Sequence, residues 1–483
     1  MNPPVVDSPR HWLLGSAYYL RKDPQRWVPE WARRYDGLFM VRMPMVGQAM
    51  VVTSPDLARR ILVNKASCYQ RKSRSYTVLR IQMGEGLVTS EGELWKTQRK
   101  LVQPAFHPRR LEAVFAMKAE RVAATVDELR EAARTGETID VVPLLSRLTL
   151  DIISRAMFSS DSQGSARDVS HHIATLNEWA LLALRQPWLL LLPRKLPLPF
   201  SSQMRRALEE LERIVHGLIR ERREHPGEHD DLLSMLLAAC EEDSGKGMSD
   251  TQLRDEVMTM YIAGHETTAN AMAWILFLVS SHPEVEARLH AEIDANFPEG
   301  PLSLADMAAF PYVRQVIDES LRLYPTIWAV GRCCTETHDL GGYRIEEGTN
   351  VLIPTFHFHW SEEGWENARD FDPDRFSPER RPPADSPHYF PFGAGPRGCI
   401  GNHFSLQELM IMTILLHRHF RFRVEEGHPV EAEFLITLRP KYGMRMAVSE
   451  RTPSARATSS PPVREAGTCP FSGAQRVSGM AGS

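Results

Sequence analysis

Apolar residues recur at helical spacing over most of the stretch from 94 to about 448, and the pattern changes in two places. Between 329 and 353 it turns into short runs that predict strands. Between 360 and 387 proline and aspartate break it into irregular chain. Upstream, 38–41 and 49–53 read as short strands separated by the turn residues Pro44 and Gly47, and Ser54-Pro55-Asp56 opens a helix through 62. The longest helical signal starts at Ser249, which has capping-box spacing to Gln252, and ends at His282-Pro283. About 30 residues at 1.5 Å each span roughly 45 Å, the width of a whole domain. Apolar on most sides in its second half, this helix is expected to run through the core. From 451 onward the chain shifts to Ser, Thr, Pro, Ala and Gly. One folded domain over 1–449 and a disordered tail over 450–483 are therefore expected.

Composition narrows the class. The 483 residues are 43% hydrophobic, ample for a large core, and show no internal repeat. Lys and Arg total 57 against 61 Asp and Glu, a net charge of -4, which argues against a global nucleic-acid binder. Six cysteines (68, 240, 333, 334, 399 and 469) fit neither a zinc site nor a disulfide framework, so a reducing cytoplasm is expected. No stretch reaches ~18 uninterrupted apolar residues, and no transmembrane anchor is expected.

Four constellations carry chemistry. The first is Phe392-Gly393-Ala394-Gly395-Pro396-Arg397-Gly398-Cys399-Ile400-Gly401, followed at once by a helical pattern. Glycines let a backbone approach a flat ligand closely, and a thiol just before a helix start has its thiolate favoured by the dipole and free N–H groups. A soft thiolate on one metal axis suits haem iron. The second is Ala263-Gly264-His265-Glu266-Thr267-Thr268, in the middle of the long helix. Gly costs ~1 kcal/mol there against Ala, and Thr can bond back to the i−4 carbonyl and bend the helix. The flanks are apolar, so this polar patch should be buried. The third is Glu319-Ser320-Leu321-Arg322, whose charges share a helix face; Phe371-Asp372-Pro373-Asp374-Arg375-Phe376 lies downstream. The fourth is Trp95-Lys96-Thr97-Gln98-Arg99, with indole and guanidinium four residues apart.

The Cys399 loop resembles the haem-binding loop of the cytochrome P-450 family, F-x-x-G-x-R-x-C-x-G, with Phe392, Gly395, Arg397, Cys399 and Gly401 at its fixed positions. The other constellations resemble the family's A-G-x-[DE]-T, E-x-x-R, second arginine and W-x-x-x-R motifs. They occur in family order from 95 to 401, and the resemblance covers about 1–449. It implies a mainly α fold with a small β lobe and haem b between the long central helix and the Cys loop. Cys399 would be the iron ligand. Trp95, Arg99, Arg332 and Arg397 would donate to the propionates, and Phe392 would border the haem. Glu266 and Thr267 would be the acid and hydroxyl of proton delivery. Glu319, Arg322 and Arg375 would form a structural network. Ile262, Ala263, Ile327, Trp328, Ala329, Val330, Ile436, Thr437 and the segment 76–88 would line the substrate pocket, and the apolar stretch 187–193 would lie over its access channel.

By the same resemblance the reaction is monooxygenation, with dioxygen activated by two electrons. With no flavin or ferredoxin domain in the chain, those electrons are expected from a ferredoxin or flavodoxin with its NAD(P)H reductase. That partner would dock on a basic face of Lys96, Lys100, Arg109 and Arg110. A soluble cytoplasmic monomer and a lipophilic substrate of terpenoid, fatty acid or polyketide type are expected. The alternatives are a peroxygenase driven by hydrogen peroxide and a non-catalytic haem-binding sensor. Glu266 and Thr267 argue against both. Cys469-Pro470 reads as an exposed thiol in the tail rather than a second haem contact.

Overall fold

The computed structural model describes residues 1–6, 11, 15–43, 47–159, 166–185, 199–229, 231–238 and 247–453. The stretch 187–193, Cys469 and most of the expected tail lie outside them. Among the described residues the architecture is mainly helical with small sheets, and no helix is long and apolar enough to cross a membrane.

The central element is the helix Asp250–Ser281. Its capping box forms in both directions: Ser249 Oγ accepts from the Gln252 N–H at 3.2 Å, and Gln252 Oε1 accepts from the Ser249 N–H at 2.9 Å. Its second half is buried nearly all round, from Thr268 to Val279, because the helices Val141–Phe158, Pro311–Leu323 and Asn402–His419 pack on it. Gly264 acquires a reason here. A Cβ on it would lie 3.1 Å from both Cγ1 and Cδ1 of Ile153, so the glycine lets the helix Val141–Phe158 close on its neighbour.

The β lobe is a five-stranded sheet in the order Leu38–Met43, Gly47–Val52, Asn350–Ile353, Val330–Cys334, Tyr69–Gln70. All pairings are antiparallel except Gly47–Val52 with Asn350–Ile353. Ser54 caps the helix Pro55–Arg59 as expected. The expected α-helix to 62 does not continue, however. It widens into a π turn over Arg60–Asn64, closed by the Lys65 N–H on the Arg60 carbonyl at 2.7 Å. A three-stranded sheet of Thr138–Asp140, Arg445–Glu450 and Phe420–Val424 ends the described chain. Glu450 pairs with Phe420 in it, and Arg451 forms an ion pair with buried Asp294. The folded part therefore runs past the expected boundary at 449, held by a ladder and a charge pair that composition does not reveal.

Glu319, Arg322 and Arg375 come together. Arg322 donates to both Glu319 oxygens, at 2.6 and 2.8 Å, and Arg375 Nε to Oε1 at 3.3 Å. Arg322 also donates to the carbonyls of His359 and Ala368 at 2.6 Å and of Asp370 at 3.0 Å. Arg375 reaches the carbonyls of Glu366 and Asn367. His359 relays this order onward: its Nδ1 meets the Arg322 carbonyl at 3.2 Å and its Nε2 meets the Phe390 N–H at 3.1 Å. Irregular chain is thus tied, residue by residue, to the start of the Cys399 loop. Glu319→Gln would leave buried guanidinium charge uncompensated and should cost on the order of 3–5 kcal/mol in urea unfolding. A loss below about 1 kcal/mol, the range of an exposed pair, would contradict this assignment.

Candidate functional site

The loop carrying Cys399 is held by its own backbone. The Gly393 N–H bonds to the Phe390 carbonyl at 2.9 Å, Gly398 to Gly395 at 3.0 Å and Cys399 to Phe392 at 2.9 Å. Gly395 adopts φ +70°, and a Cβ on it would sit 2.0 Å from the Leu62 carbonyl oxygen in the π turn. Only glycine permits that approach.

By accessible surface Cys399 counts as exposed, yet it is surrounded by enough protein that burial raises its thiol pKa. The sulfur thus keeps accessible surface although protein surrounds it. The N–H of Gly401, Arg99 and Arg71 pull the other way, but burial wins. By itself the thiol stays protonated at neutral pH, and a cationic metal facing it would hold the charged form. Among the described residues no three His, Cys, Asp or Glu are grouped to hold a metal. A lone sulfur suits iron that brings its other ligands in a macrocycle.

Beside the loop lies a cluster of four arginines. Arg397 Nη1 donates to the Ser90 carbonyl at 3.0 Å, Nη2 to Glu91 at 2.5 Å, and its guanidinium lies 3.9 Å from the Trp95 ring. Arg71 donates to the carbonyls of Val88 and Arg397, both at 3.0 Å, and its backbone N–H to Glu91. Arg99 Nη1 donates to the Gly398 carbonyl at 3.2 Å. Buried Arg332 faces Tyr76 and Arg71. Burial and the Arg71 charge push Arg397 down to about 10, with Arg332 adding to the repulsion and Glu91 opposing it. Burial would raise the Tyr76 hydroxyl, yet Arg71, Arg332 and Arg397 outweigh it and pull it down. Four guanidiniums gathered here, of which Arg397 donates to the Glu91 carboxylate, favour an anionic ligand with more than one acceptor group. Two propionates fit that requirement.

Arg71 was not read from the sequence. Its place follows from the pairing of Tyr69–Gln70 with Cys333 and Cys334, two residues beyond Arg332, and a two-residue strand has no periodic signal.

On the central helix the turn 263–268 stays helical. Thr267 Oγ1 donates to the Ala263 carbonyl at 2.8 Å. Thr268 is buried and shares a hydrogen bond with Ser405 at 3.1 Å, which ties the helix to the one after Cys399. Glu266 accepts from Asn177 Nδ2 at 2.5 Å and from Thr437 Oγ1 at 2.8 Å. His265 is buried, meets the Tyr261 carbonyl at 2.6 Å, and is kept neutral by burial, with Glu266 pulling the other way.

Of the expected pocket residues, Ile262 is buried and Ala263, Ala329, Val330 and Ile436 are half-buried. Ile327 is 37% exposed. The Trp328 indole donates to the Leu435 carbonyl at 2.7 Å and packs on Phe356 and Phe434. Thr437 is buried and directs its hydroxyl to Glu266.

A lone sulfur on a glycine loop, an arginine cradle and a helix with a half-buried acid–hydroxyl pair define a haem-thiolate oxidoreductase centre. The model of the family described as "Cytochrome P450" matches residues 5–445. Cyclooctat-9-en-7-ol 5-monooxygenase of Streptomyces melanosporofaciens is 32% identical over 416 residues, 86% of this chain and 88% of the relative. Pentalenene oxygenase of Streptomyces avermitilis is 31% identical over 443 residues, covering 91% and 96%. The crystal structure of the cytochrome P450DA heme domain superposes with a TM-score of 0.82 at 26% identity, covering 95% of this chain and 99% of that one. The chain belongs to the cytochrome P450 family. It is an oxidoreductase with haem b as its cofactor.

Two expectations follow. Arg71→Ala removes a charged donor and should weaken haemin uptake by about tenfold or more. A haemin titration indistinguishable from wild type would place Arg71 outside the cradle. The second concerns acid. Burial holds His359 down to about 3, with Arg322 adding to it, and His290 and His357 to about 4. Below the ordinary histidine value of about 6.5 the unfolded chain binds more protons than the folded one, so stability is full above that pH and falls on acidification towards 4. Unfolding free energy measured from pH 7 to 4 should slope accordingly, and His359→Gln should flatten the slope. An unchanged slope in that variant would exclude His359 as a contributor.

Proposed function

We propose that this cytochrome P450 is a monooxygenase of terpenoid-type hydrocarbons or alcohols, served by a separate ferredoxin or flavodoxin and its NAD(P)H reductase. The balance is RH + O2 + 2e− + 2H+ → ROH + H2O. The carrying observation is the accessible Cys399 sulfur on its glycine loop, to whose carbonyls Arg99 and Arg71 donate, with Glu266 and Thr267 on the central helix. Bound haem would supply the redox centre, its thiolate ligand favouring O–O cleavage, a role for which general accounts of haem ligation use this family as their example.

The chain's own residues do the rest. Cys399 would hold the iron through its sulfur, and Arg71, Arg99, Arg332 and Arg397 would hold the propionates. Thr267 would offer a hydroxyl from the central helix, and half-buried Glu266 would be the acid that passes protons. A sensor or carrier has no use for that acid–hydroxyl pair, and a peroxide-driven enzyme does not need it.

Substrate class rests on two supports. The lining expected around 262–263, 327–330 and 436 is apolar. The Streptomyces relatives are named as oxygenases of cyclooctat-9-en-7-ol and pentalenene. The donor's docking face is inferred from Lys96, Lys100 and Arg109, all exposed. Phe106, a few residues on, packs beside Phe404 and Gly401, on the Cys399 side. Lys96 is partly offset by Glu93 at 2.7 Å.

The test is a Soret-shift screen of sesquiterpene and diterpene hydrocarbons and alcohols against fatty acids and macrolide polyketides. Terpenoids should shift the spectrum and consume NADPH with product formed. Shifts confined to fatty acids or polyketides would overturn the terpenoid assignment. With the best terpenoid hit, Thr267→Ala should keep binding and lose product per NADPH. Unchanged coupling would show that Thr267 is not the relay hydroxyl.

A further inference from the structure

Glu266, Asn270 and Trp274 stand four residues apart on the central helix, so they share a face. All three engage the turn between the strands Ala432–Phe434 and Leu438–Pro440. Trp274 Nε1 donates to the Leu438 carbonyl at 3.2 Å, Asn270 Nδ2 to Thr437 Oγ1 at 3.4 Å, and Thr437 Oγ1 to Glu266 Oε1 at 2.8 Å. The turn is fixed from its other side as well. The Leu438 N–H reaches the Thr326 carbonyl at 2.8 Å, and Trp328 Nε1 reaches Leu435 at 2.7 Å. Thr437 is 4% exposed and Asn270 2%.

A hydroxyl has one proton to give. The Asn270 amide nitrogen can only donate, so Thr437 accepts from it and gives its proton to Glu266. The other carboxyl oxygen is held by Asn177, a half-buried residue on the separate helix Ala166–Arg185. One oxygen is thus braced by a buried, four-fold anchored turn. The other is braced by a single amide on a less buried helix.

We propose that Thr437 is a positioning residue for oxygen activation. Its hydroxyl fixes the Glu266 carboxyl group in one orientation, so that proton exchange runs through the oxygen that Asn177 holds. The inference rests on the reading of Glu266 as the proton-delivering acid. It assigns Thr437 to that acid rather than to substrate contact. A misplaced acid slows delivery of the protons that complete oxygen reduction, and oxygen then leaves as peroxide (O2 + 2e− + 2H+ → H2O2) instead of water (O2 + 4e− + 4H+ → 2 H2O).

The experiment uses the full haem-loaded chain without substrate, driven by a plant-type ferredoxin, its reductase and NADPH. It compares Thr437→Val, Thr437→Ala, Thr437→Ser and Glu266→Gln. The share of consumed oxygen recovered as peroxide should rise by at least about threefold in the Val and Ala variants, with a similar rise in Glu266→Gln and near wild-type behaviour in Thr437→Ser. A second readout needs no turnover. Infrared difference spectra between wild type and Glu266→Gln isolate the Glu266 carboxyl band. That band should shift in the Val and Ala variants and return in Ser. If Glu266→Gln raises peroxide while Val and Ala leave peroxide and band unchanged, the inference about Thr437 is overturned and the role of Glu266 stands. If Glu266→Gln leaves the peroxide share unchanged, the acid reading falls and the inference falls with it.

Discussion

Arg322 has five N–H donors' worth of hydrogen bonds, and all of them are used inside the protein. Two go to Glu319 and three to carbonyls of residues 359, 368 and 370. Those carbonyls belong to a stretch with little regular structure, so no ladder of its own could hold it in shape. A guanidinium at zero exposure substitutes for that ladder. Desolvating it is costly, and the arrangement holds because Glu319 is equally buried and every donor finds an acceptor. Through His359 the same anchor reaches Phe390, and from Phe390 the chain turns directly into the loop that bears Cys399. The position of the sulfur thus descends from a structural ion pair that never touches the site.

The arginine cradle follows the opposite logic. Around Glu319 both guanidiniums donate to the one carboxylate, whereas beside Glu91 Arg397 donates to it and Arg71 and Arg332 lie close by. Burial first, and then repulsion from Arg71, lowers the protonation preference of Arg332 and Arg397. Such a cluster is strained in the polypeptide alone and relieved by a polyanionic partner. Binding of that partner therefore adds directly to folding stability, since only the folded chain assembles the cradle.

How much could be read beforehand depended on how local each signal is. The central helix was legible to its ends because Ser249, Gln252 and His282-Pro283 act on their own neighbours. The polar patch at 263–268 was expected to be buried because its flanks are apolar, yet only His265 and Thr268 are, while Glu266 and Thr267 stay half-buried. The reason for Gly264 was not legible, since it lies in Ile153, more than a hundred residues away. Arg71 escaped notice because a two-residue strand places it, and Thr437 looked like pocket lining because the partners that claim its hydroxyl are distant in sequence. At Cys399 the helix-start N–H that favours the thiolate is local and visible, while the burial that opposes it belongs to the assembled fold.

Gly395 and the π turn carry a consequence for how such a protein can be recombined. With the Leu62 oxygen 2.0 Å from where a side-chain carbon would begin, the segment after the first β-hairpin and the Cys399 loop form a single mould cast from two distant parts of the chain. A chimera that exchanges residues around 55–70 while keeping the native loop would inherit a new carbonyl height beneath Gly395. The loop would have to ride up or down with it, carrying Cys399 along. Crossover points that respect this surface should fall on either side of both segments together, so the β lobe and the thiol loop are one inheritable module despite more than three hundred residues between them.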